Sequence, residues 1–211
     1  MKRISKEDLD GWNDDRKRAR FINCLSGIKS CFLIGTCNAS KQTNLAIFSS
    51  IFHLGANPSL MGLIVRPNVS SRHTFENIKL MGFYSLNLLP YQNHQQGHQT
   101  SARYSLEQSE FLETGFSEEW TEDGPVPFVK ESQVKWLMKY IRTVDIPENG
   151  THMVIGEVQC VYLPDDLIES DGSLTISQTD PALVTGLDCY HQVRKGIRYS
   201  YAKPGKDLTK I

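Results

Sequence analysis

Two long strand-like segments joined by a turn constrain the fold of this chain more than any other feature. Residues 134–144, VKWLMKYIRTV, alternate as a long strand does, and residues 151–163, THMVIGEVQCVYL, read as the returning strand. The turn between them, Pro147–Gly150, contains the Asn-Gly pair that is a strong signal for a β-hairpin. The sequence therefore predicts a long antiparallel strand pair.

The rest of the chain adds more strands than helices. Further strands are predicted at 28–37, 43–52, 60–65 and 83–89, with a loop, HLGANPS, before the strand at 60–65. Helices are predicted over 1–20, 71–81 and 105–115, the second ending at Gly82 and the third at Gly115. Because helices do not alternate regularly with strands, a doubly wound parallel sheet is disfavoured. We expect a mainly β fold, a closed or split antiparallel barrel with a few peripheral helices.

The bulk properties set the domain count and exclude several partners. With 211 residues, one domain over 1–211 is expected, with 1–20 as an N-terminal surface helix and 205–211 as a flexible tail. The net charge of -1 argues against a basic nucleic-acid-binding face and against an anionic membrane partner. No segment reaches the ~18 apolar residues of a membrane span, and the N-terminus lacks the apolar region of a secretory signal.

The cysteines and the absent motifs narrow the chemistry. Five cysteines, an odd number without a CxxC pair, disfavour a disulfide framework or a zinc site, so we expect a cytoplasmic protein with reduced thiols. There is no GxGxxG after a strand, no GxxxxGK[ST], no HExxH and no GxSxG. His94 and His98 lie four residues apart, but Gly97 and the lack of a nearby carboxylate favour a polar loop over a metal site.

A cluster of cations and hydroxyls follows the apolar segment LMGLIV. Residues 66–74, RPNVSSRHT, contain two arginines, a histidine, two serines and a threonine, and a predicted helix starts among them. Free N–H groups, hydroxyl donors and guanidinium groups together suit an ionised phosphate. The alternative is an ordinary capped helix with solvated arginines. Two arginines on either side of two serines favour the phosphate.

The predicted strand TNLAIFSSIF has two different faces. One face is mostly core and consists of Leu45, Ile47, Ser49 and Ile51. The other mixes amide, small, aromatic and hydroxyl groups and consists of Asn44, Ala46, Phe48, Ser50 and Phe52. The second face suits a half-exposed or helix-covered strand as well as the wall of a flat heteroaromatic ligand, and the pattern leaves both open. Together with a phosphate it suggests flavin mononucleotide (FMN). Pyridoxal phosphate would usually leave a lysine for a Schiff base, and nothing marks such a lysine.

The run TNLAIFSSIFHLGANPSLMGLIVRPNVSSRHTFENIKLMGFYSLNLL resembles the flavin reductase-like family of FMN-binding split barrels, which includes the flavoredoxins. HQTSARYSLEQSEFLETGF, VPFVKES, NGTHMVIGEVQCVYLP and GLDCYHQVRKGIRYSYAKP are similar to the same subgroup. The resemblance covers most of the chain from about residue 21 to 204. Its most specific part is the block that runs from Arg66-Pro through Arg-His-Thr to Asn77. It implies a Greek-key split barrel, a homodimer and a non-covalent FMN in a groove near the dimer interface.

The resemblance also implies which residues bind the cofactor. The isoalloxazine and ribityl chain would be contacted by Asn44, Ala46, Phe48, Ser49 and Ser50. The phosphate would be held by Arg66, Ser71, Arg72, His73 and Thr74. The loop closing over the flavin would supply Thr100, Ser101, Ala102 and Tyr104. No catalytic acid or base is assigned, because hydride transfer between nicotinamide and flavin needs stacking and orientation rather than a proton relay in the protein.

Three functions follow from these expectations. The first is an NAD(P)H-dependent flavin reductase, an oxidoreductase with tightly held FMN. The second is a non-enzymatic, flavoredoxin-like electron carrier between redox protein partners. The third is a retained fold with a changed ligand. We also expect apolar surface for the homodimer around Trp136, Met138 and Tyr140.

No cysteine is expected to be needed for electron transfer, because Cys24, Cys31, Cys37 and Cys160 lie in apolar segments, where a free cysteine usually behaves as a small buried apolar residue. Cys189 is the one exception left open, because His191 and Arg194 lie close in sequence.

Overall fold

The computed structural model describes residues 1–67 and 73–211. Its helices are α1 Lys6–Asp10, α2 Asp15–Leu25, α3 His73–Met81, α4 His94–Gln99 and α5 Glu110–Thr114. The strands before α4 are β1 Ile28–Ser30, β2 Phe32–Cys37, β3 Thr43–Phe48, β4 Ile51–Ala56, β5 Ser59–Val65 and β6 Phe83–Leu88. The later strands are β7 Glu118–Glu119, β8 Phe128–Val129, β9 Lys135–Ile146, β10 Thr151–Tyr162, β11 Leu183–Thr185 and β12 Cys189–His191. No helix in the described ranges is long and apolar enough to cross a membrane.

A seven-stranded antiparallel sheet forms the body of the molecule. Its strand order is β3-β2-β6-β9-β10-β5-β4, and the predicted hairpin β9–β10 lies near its middle. Two smaller sheets, β1-β11-β12 and β7-β8, lie beside it. The expected mainly β, antiparallel fold with few helices is therefore confirmed.

The connection between β3 and β4 shows that the large sheet curls. These consecutive strands lie at its two opposite edges, yet only Ser49 and Ser50 separate them. In a flat sheet, seven strands about 4.8 Å apart would place the edges roughly 29 Å from each other. The three Cα steps from Phe48 to Ile51 can span at most ~11 Å. The sheet must therefore bend until its edges meet at this end, which is the geometry of a barrel.

The curled sheet encloses an apolar cluster, called here the inner cluster. Five strands and α3 contribute fully or largely buried side chains to it, namely Ile34, Leu63, Val65, Phe75, Ile78, Tyr84, Leu86, Met138 and Val154. A second group, the outer cluster, lies on the other face of β2 and β3 under α5 and β11 and includes Cys31, Leu33, Leu45, Phe111 and Val184. Helix α3 thus covers one side of β2 and β3, and α5 covers the other.

The segment TNLAIFSSIF forms two strands, and the prediction of one strand was wrong. Strand β3 ends at Phe48, and β4 begins at Ile51. Phe48 and Ile51 both pack against the inner cluster, although they fall on opposite faces of the predicted strand. The link of Ser49 and Ser50 carries the chain from one sheet edge to the other. The alternation of inward and outward side chains along β3 therefore does not continue into β4.

Two other boundaries also differ from the expectations. HLGANPS was predicted as a loop, but β4 continues to Ala56 and pairs with β5, and only Asn57-Pro58 form the turn. The predicted strand 28–37 breaks at Cys31, so that β1 pairs with β11 and β2 joins the large sheet. In both cases the polarity of the local sequence predicts the strand boundary poorly, because pairing with another strand decides where a strand ends.

The two chain termini lie on the surface. The N-terminal segment forms two helices rather than one, because Gly11 follows α1 and Asp14 caps the start of α2 by accepting from the N–H groups of Arg16 and Lys17. Neither helix contains a buried residue. At the other end, a bridge between Tyr199 and Lys210 folds the last residues back on themselves.

Candidate functional site

Four polar side chains join β3, β2 and α3 in a buried network. Asn44 Nδ2 donates to Thr36 Oγ1 at 3.2 Å and to Thr74 Oγ1 at 2.9 Å. Asn77 Nδ2 donates to the same Thr36 oxygen at 3.3 Å. All four residues are buried, so leaving one of these donors unpaired would cost free energy. The network therefore fixes the start of α3 against the edge of the sheet.

This network brings together residues from two separate predictions. Asn44 was expected to contact the flavin ring system, and Thr74 was expected to contact the phosphate. A small depression opens beside them and is lined by Asn38, Gln42, Thr43, Asn44, His73, Asn77, Leu106 and Gln108. Two of the predicted site residues, Asn44 and His73, thus share one surface feature.

The other predicted strand residues continue from this depression along β3. Ala46 and Phe48 are half-buried, and Phe48 packs against the inner cluster. Ser49 and Ser50 form the link to β4, where the main-chain oxygen of Ser50 accepts from Ile64 N at 3.0 Å. The predicted flavin residues therefore extend along β3 from the buried side chain of Asn44 to Ser49 and Ser50, where the two edges of the sheet meet.

The predicted phosphate residues lie around the end of β5 and the start of α3. Arg66 is exposed and directly follows Val65, the last residue of β5, and His73 is the first residue of α3. Because N–H groups at a helix start and a nearby guanidinium both favour anions, these positions suit a phosphate. Ser71 and Arg72 lie outside the described residues, and their assignment to the phosphate stays a prediction.

The segment after α4 is held by local hydrogen bonds. Thr100 Oγ1 donates to Gly97 O at 2.8 Å, and Ser101 Oγ donates to His98 O at 2.7 Å. Tyr104 Oη accepts from Gln99 Nε2 at 3.1 Å. Ala102 is exposed in the turn that follows α4. The structure shows how Thr100, Ser101, Ala102 and Tyr104 are positioned, and their contact with a flavin stays a prediction.

Sequence reasoning missed several residues of this site. Thr36 and Asn77 complete the network, and Glu110 accepts from the N–H of Leu45 on the edge strand at 3.0 Å. A signal for Asn77 was present, because it lies three residues after Thr74 on one face of a helix. Thr36 could have been found as the cross-strand neighbour of Asn44 only once the β2–β3 register was known.

A second, larger cleft lies away from this network. It has a volume of about 490 Å³ and is lined by His94, Gln95, His98, Asp188, Cys189 and Tyr190. His94 and His98 belong to the short helix α4. Within the described ranges, no group of three or more His, Cys, Asp or Glu side chains could hold a metal ion.

Comparisons with known proteins agree with this fold. A family model described as flavin reductase like domain matches residues 25–184. A provisionally assigned flavin reductase with a split barrel domain, from Shewanella frigidimarina NCIMB 400, is 45% identical in sequence with a TM-score of 0.91; the alignment covers 96% of this chain and 100% of that one. Among curated protein sequences, no match was found.

Two more distant structures share the fold. A 2-nitrobenzoate 2-nitroreductase from Pseudomonas fluorescens is 18% identical with a TM-score of 0.81, covering 98% of this chain and 99% of that one. Flavoredoxin of Desulfovibrio vulgaris (Miyazaki F) is 17% identical with a TM-score of 0.70, covering 85% and 92% respectively.

The large antiparallel sheet curls until its edges meet, and a polar network lies at one of these edges. This architecture is that of a split-barrel protein, the fold that the Shewanella structure shares. The chain belongs to the flavin reductase-like family, since the family model matches well over half of it. Membership makes it a flavin-related oxidoreductase in the broad sense, and confirms both the expected family and the split-barrel fold.

Proposed function

We propose that this protein is an NAD(P)H-dependent flavin reductase that holds FMN non-covalently along β3 and the start of α3. One observation carries the proposal: Asn44 Nδ2 donates to Thr74 Oγ1 at 2.9 Å. This bond joins the strand expected to contact the flavin ring to the helix start expected to hold the phosphate. The two halves of a phosphorylated, flat ligand would therefore meet residues that are already held together.

The residues present suit FMN in chemical terms. A flavin ring needs apolar surface for its faces and hydrogen-bonding groups for its edges. Ala46 and Phe48 supply the first, and the unpaired side of β3, which lies at the edge of the sheet, supplies main-chain donors and acceptors. Arg66, His73 and Thr74 supply cationic and hydroxyl groups for the phosphate, together with Ser71 and Arg72 as predicted from the sequence.

The protein's contribution would be binding and orientation. When bound, FMN supplies the two-electron redox chemistry, with NAD(P)H as the expected electron donor. The side chains along β3 would hold the ring in register and leave one face open to the nicotinamide. The cations at the start of α3 would hold the phosphate and so set the position of the ring along the strand.

The size of the depression supports a dimeric site. Its volume is about 10 Å³, room for about one water molecule, whereas pockets for small molecules measure roughly 300–1,000 Å³. A flavin would therefore lie across its mouth and along β3, where a second wall is needed to bury it. We propose that a second copy of the chain supplies that wall, in line with the groove near the dimer interface that the family resemblance implies.

The test is a titration followed by reduction. Purified chain is titrated with FMN and with riboflavin, and then NADH or NADPH is added while the flavin absorbance is followed. A phosphate site should make FMN bind about ten- to a hundred-fold more tightly than riboflavin, because a charge-assisted hydrogen bond contributes roughly 1.5–3 kcal/mol. Arg72→Ala should remove most of this preference, and Arg3→Ala, at the exposed N-terminus, should leave it unchanged.

A different result of this titration would refute each part of the proposal. Equal affinity for FMN and riboflavin would refute the phosphate site. Flavin that binds but is not bleached by either nicotinamide would favour the alternative function, an electron carrier between redox protein partners. A chain that binds no flavin would refute both and favour a changed ligand.

A further inference from the structure

Glu110 makes an unusual contact with the edge strand. Among the residues that the structure describes, β3 pairs with β2 on one side and with no strand on the other, so the N–H groups on that other side lack a strand partner. The N–H of Leu45 points to that free side and donates to Glu110 Oε2 at 3.0 Å. Glu110 is the first residue of α5 and is only 7% exposed. A carboxylate is thus buried against the main chain of the proposed flavin-binding strand.

Burying the Glu110 carboxylate costs free energy. This cost argues that its oxygen atoms are needed as acceptors for the main chain of β3. Burial raises the pKa of Glu110, and the hydrogen bond from the Leu45 N–H acts in the opposite direction. A smaller electrostatic effect from His73, at the start of α3, also acts to lower this pKa. The geometry that supports a role for Glu110 is its hydrogen bond with the Leu45 N–H of the edge strand.

The same region of the chain covers the first residues of β3. Gln42 Nε2 donates to Leu106 O. Thr43 Oγ1 donates to Glu118 Oε1 at 2.6 Å and shares a hydrogen bond of 2.7 Å with Ser109 Oγ. Residues 42–45 are therefore attached to residues 106–118 by side-chain hydrogen bonds instead of strand pairing.

Glu110 makes the last of these attachments along β3. In an antiparallel pair, every second residue turns its main-chain groups away from the partner strand. Leu45 is one such residue, so Ile47 is the next to present its N–H and C=O to the free side. Up to Leu45, the free side of β3 is covered by residues 106–118. From Ile47 onward, the main-chain groups on that side are available to the proposed flavin.

We propose that Glu110 is a positioning residue of the flavin site, acting through the Leu45 N–H on the residues to either side of it. Asn44 and Ala46 flank Leu45, and both were expected to contact the ring system. The inference rests on the proposed flavin function. We assign the effect of Glu110 on flavin binding to its acceptor oxygen and not to the negative charge of the carboxylate.

Two substitutions separate the acceptor from the charge. Glu110→Gln keeps an oxygen at the same distance from the main chain and removes the charge. Glu110→Asp keeps the charge but shortens the side chain by one methylene, which withdraws the oxygen from Leu45. Glu113→Gln and Glu113→Asp are matched controls, because Glu113 lies on the same helix and is exposed.

The experiment measures the dissociation constants of FMN and riboflavin by quenching of flavin fluorescence, with circular dichroism to show that each variant is folded. Glu110→Asp should weaken the binding of both flavins by about tenfold, the upper end of what an ordinary hydrogen bond contributes. Glu110→Gln should stay within about threefold of the original chain. Both Glu113 variants should bind like the original chain. Equal loss for both flavins is expected, because the contact acts on the ring-binding strand and not on the phosphate.

Hydrogen exchange of the Leu45 amide gives a second readout that needs no flavin. It should be faster in Glu110→Asp and unchanged in Glu110→Gln. The inference is overturned if Glu110→Asp binds both flavins as tightly as the original chain, or if Glu110→Gln is impaired as much as Glu110→Asp. An original chain that binds neither flavin would overturn the proposed function itself, and the inference with it.

Discussion

Asn44 belongs both to the proposed flavin site and to the buried polar network. Strand alternation put it on a mixed polar face, the family resemblance implied its contact with the flavin, and in the structure its amide nitrogen donates to Thr36 and Thr74. A residue held in this way has a defined orientation before any ligand binds, which lowers the entropic cost of binding. The residue type indicated polarity at this position, whereas its partners depend on elements that are 8 and 30 residues away.

The cysteines differ sharply in exposure. Cys31 and Cys37 are buried, and burial raises the pKa of Cys31 to about 12 and also raises that of Cys37. Cys24 and Cys189 are exposed, which corrects the expectation that Cys24 behaves as a buried apolar residue. Helix α2, which contains Cys24, has no buried residue, and this explains the difference.

We predict that a thiol reagent at mildly alkaline pH labels Cys24 and Cys189 first and reaches Cys31 and Cys37 only after unfolding. A raised pKa keeps these two thiols protonated, and the thiolate is the reactive form. Mass spectrometry of timed samples would identify the labelled positions. Early labelling of Cys31 would contradict the buried assignment.

The same experiment extends to function. Each cysteine replaced by alanine in turn should keep flavin content and NAD(P)H oxidation with an external acceptor. Cys189 is the critical case, because its sulfur lies 3.7 Å from His191 Nε2. Loss of activity in that variant with flavin still bound would reveal a thiol step and refute the expectation that no cysteine takes part.

At the scale of elements, the proposed site depends on the hydrogen-bonded contact between β3 and α3. Strand alternation could predict which side chains of β3 share a face, but only up to Phe48, where the strand ends. Helix α3 was predicted over 71–81, and the structure describes it from His73 to Met81. Its contacts with β3 include the hydrogen bond in which Thr74 Oγ1 accepts from Asn44 at 2.9 Å.

We predict that Thr74→Val lowers the free energy of unfolding by about 1–3 kcal/mol, because it removes a buried hydrogen-bond acceptor while keeping the shape of the side chain. Thr74→Ser should recover most of the loss, since the oxygen is retained. Thr209→Val is a control, because Thr209 is exposed near the C-terminus. Urea denaturation followed by tryptophan fluorescence would measure all three variants. A Thr74→Val variant as stable as the original chain would show that the network contributes nothing to stability.

At the scale of the whole molecule, the expected dimer surface needs correction. Trp136, Met138 and Tyr140 were predicted to offer apolar surface to a second copy. Met138 is instead fully buried in the inner cluster, and Trp136 and Tyr140 pack against that cluster in partly buried positions. All three lie on the face of β9 that turns into the curled sheet. Elsewhere on the hairpin, Ile141 and Val161 are exposed to 45% and 47%.

The homodimer itself stays a prediction. We expect sedimentation velocity at micromolar concentration to give twice the 23.9 kDa mass of one chain, because the depression at the proposed site is too small to bury a flavin without a second wall. Added FMN should shift any remaining monomer towards the dimer, since a ligand that binds only the dimer stabilises it by mass action. A species of one chain's mass with fully bound flavin would contradict this arrangement.

The sequence by itself determined the class of fold and indicated where the proposed site lies. Turn chemistry at Asn149-Gly150 and alternation over 134–163 are local properties, so they specify an antiparallel hairpin without knowledge of the rest of the chain. The clustering of cations and hydroxyls after LMGLIV is likewise visible in one short stretch. These features, together with the family resemblance, were enough to indicate a split barrel with a flavin site.

Only the tertiary structure decided which groups meet. That β3 and β4 lie at opposite edges of the sheet, with Ser49 and Ser50 between them, follows from strand pairing across the whole chain. That Glu110 meets Leu45 depends on where α5 packs, because nothing in its local sequence distinguishes it from the exposed Glu113. The physical reason is the same in each case. Hydrogen-bond partners and burial are set by contacts distant in sequence, whereas periodicity and turn signals report only on neighbours along the chain.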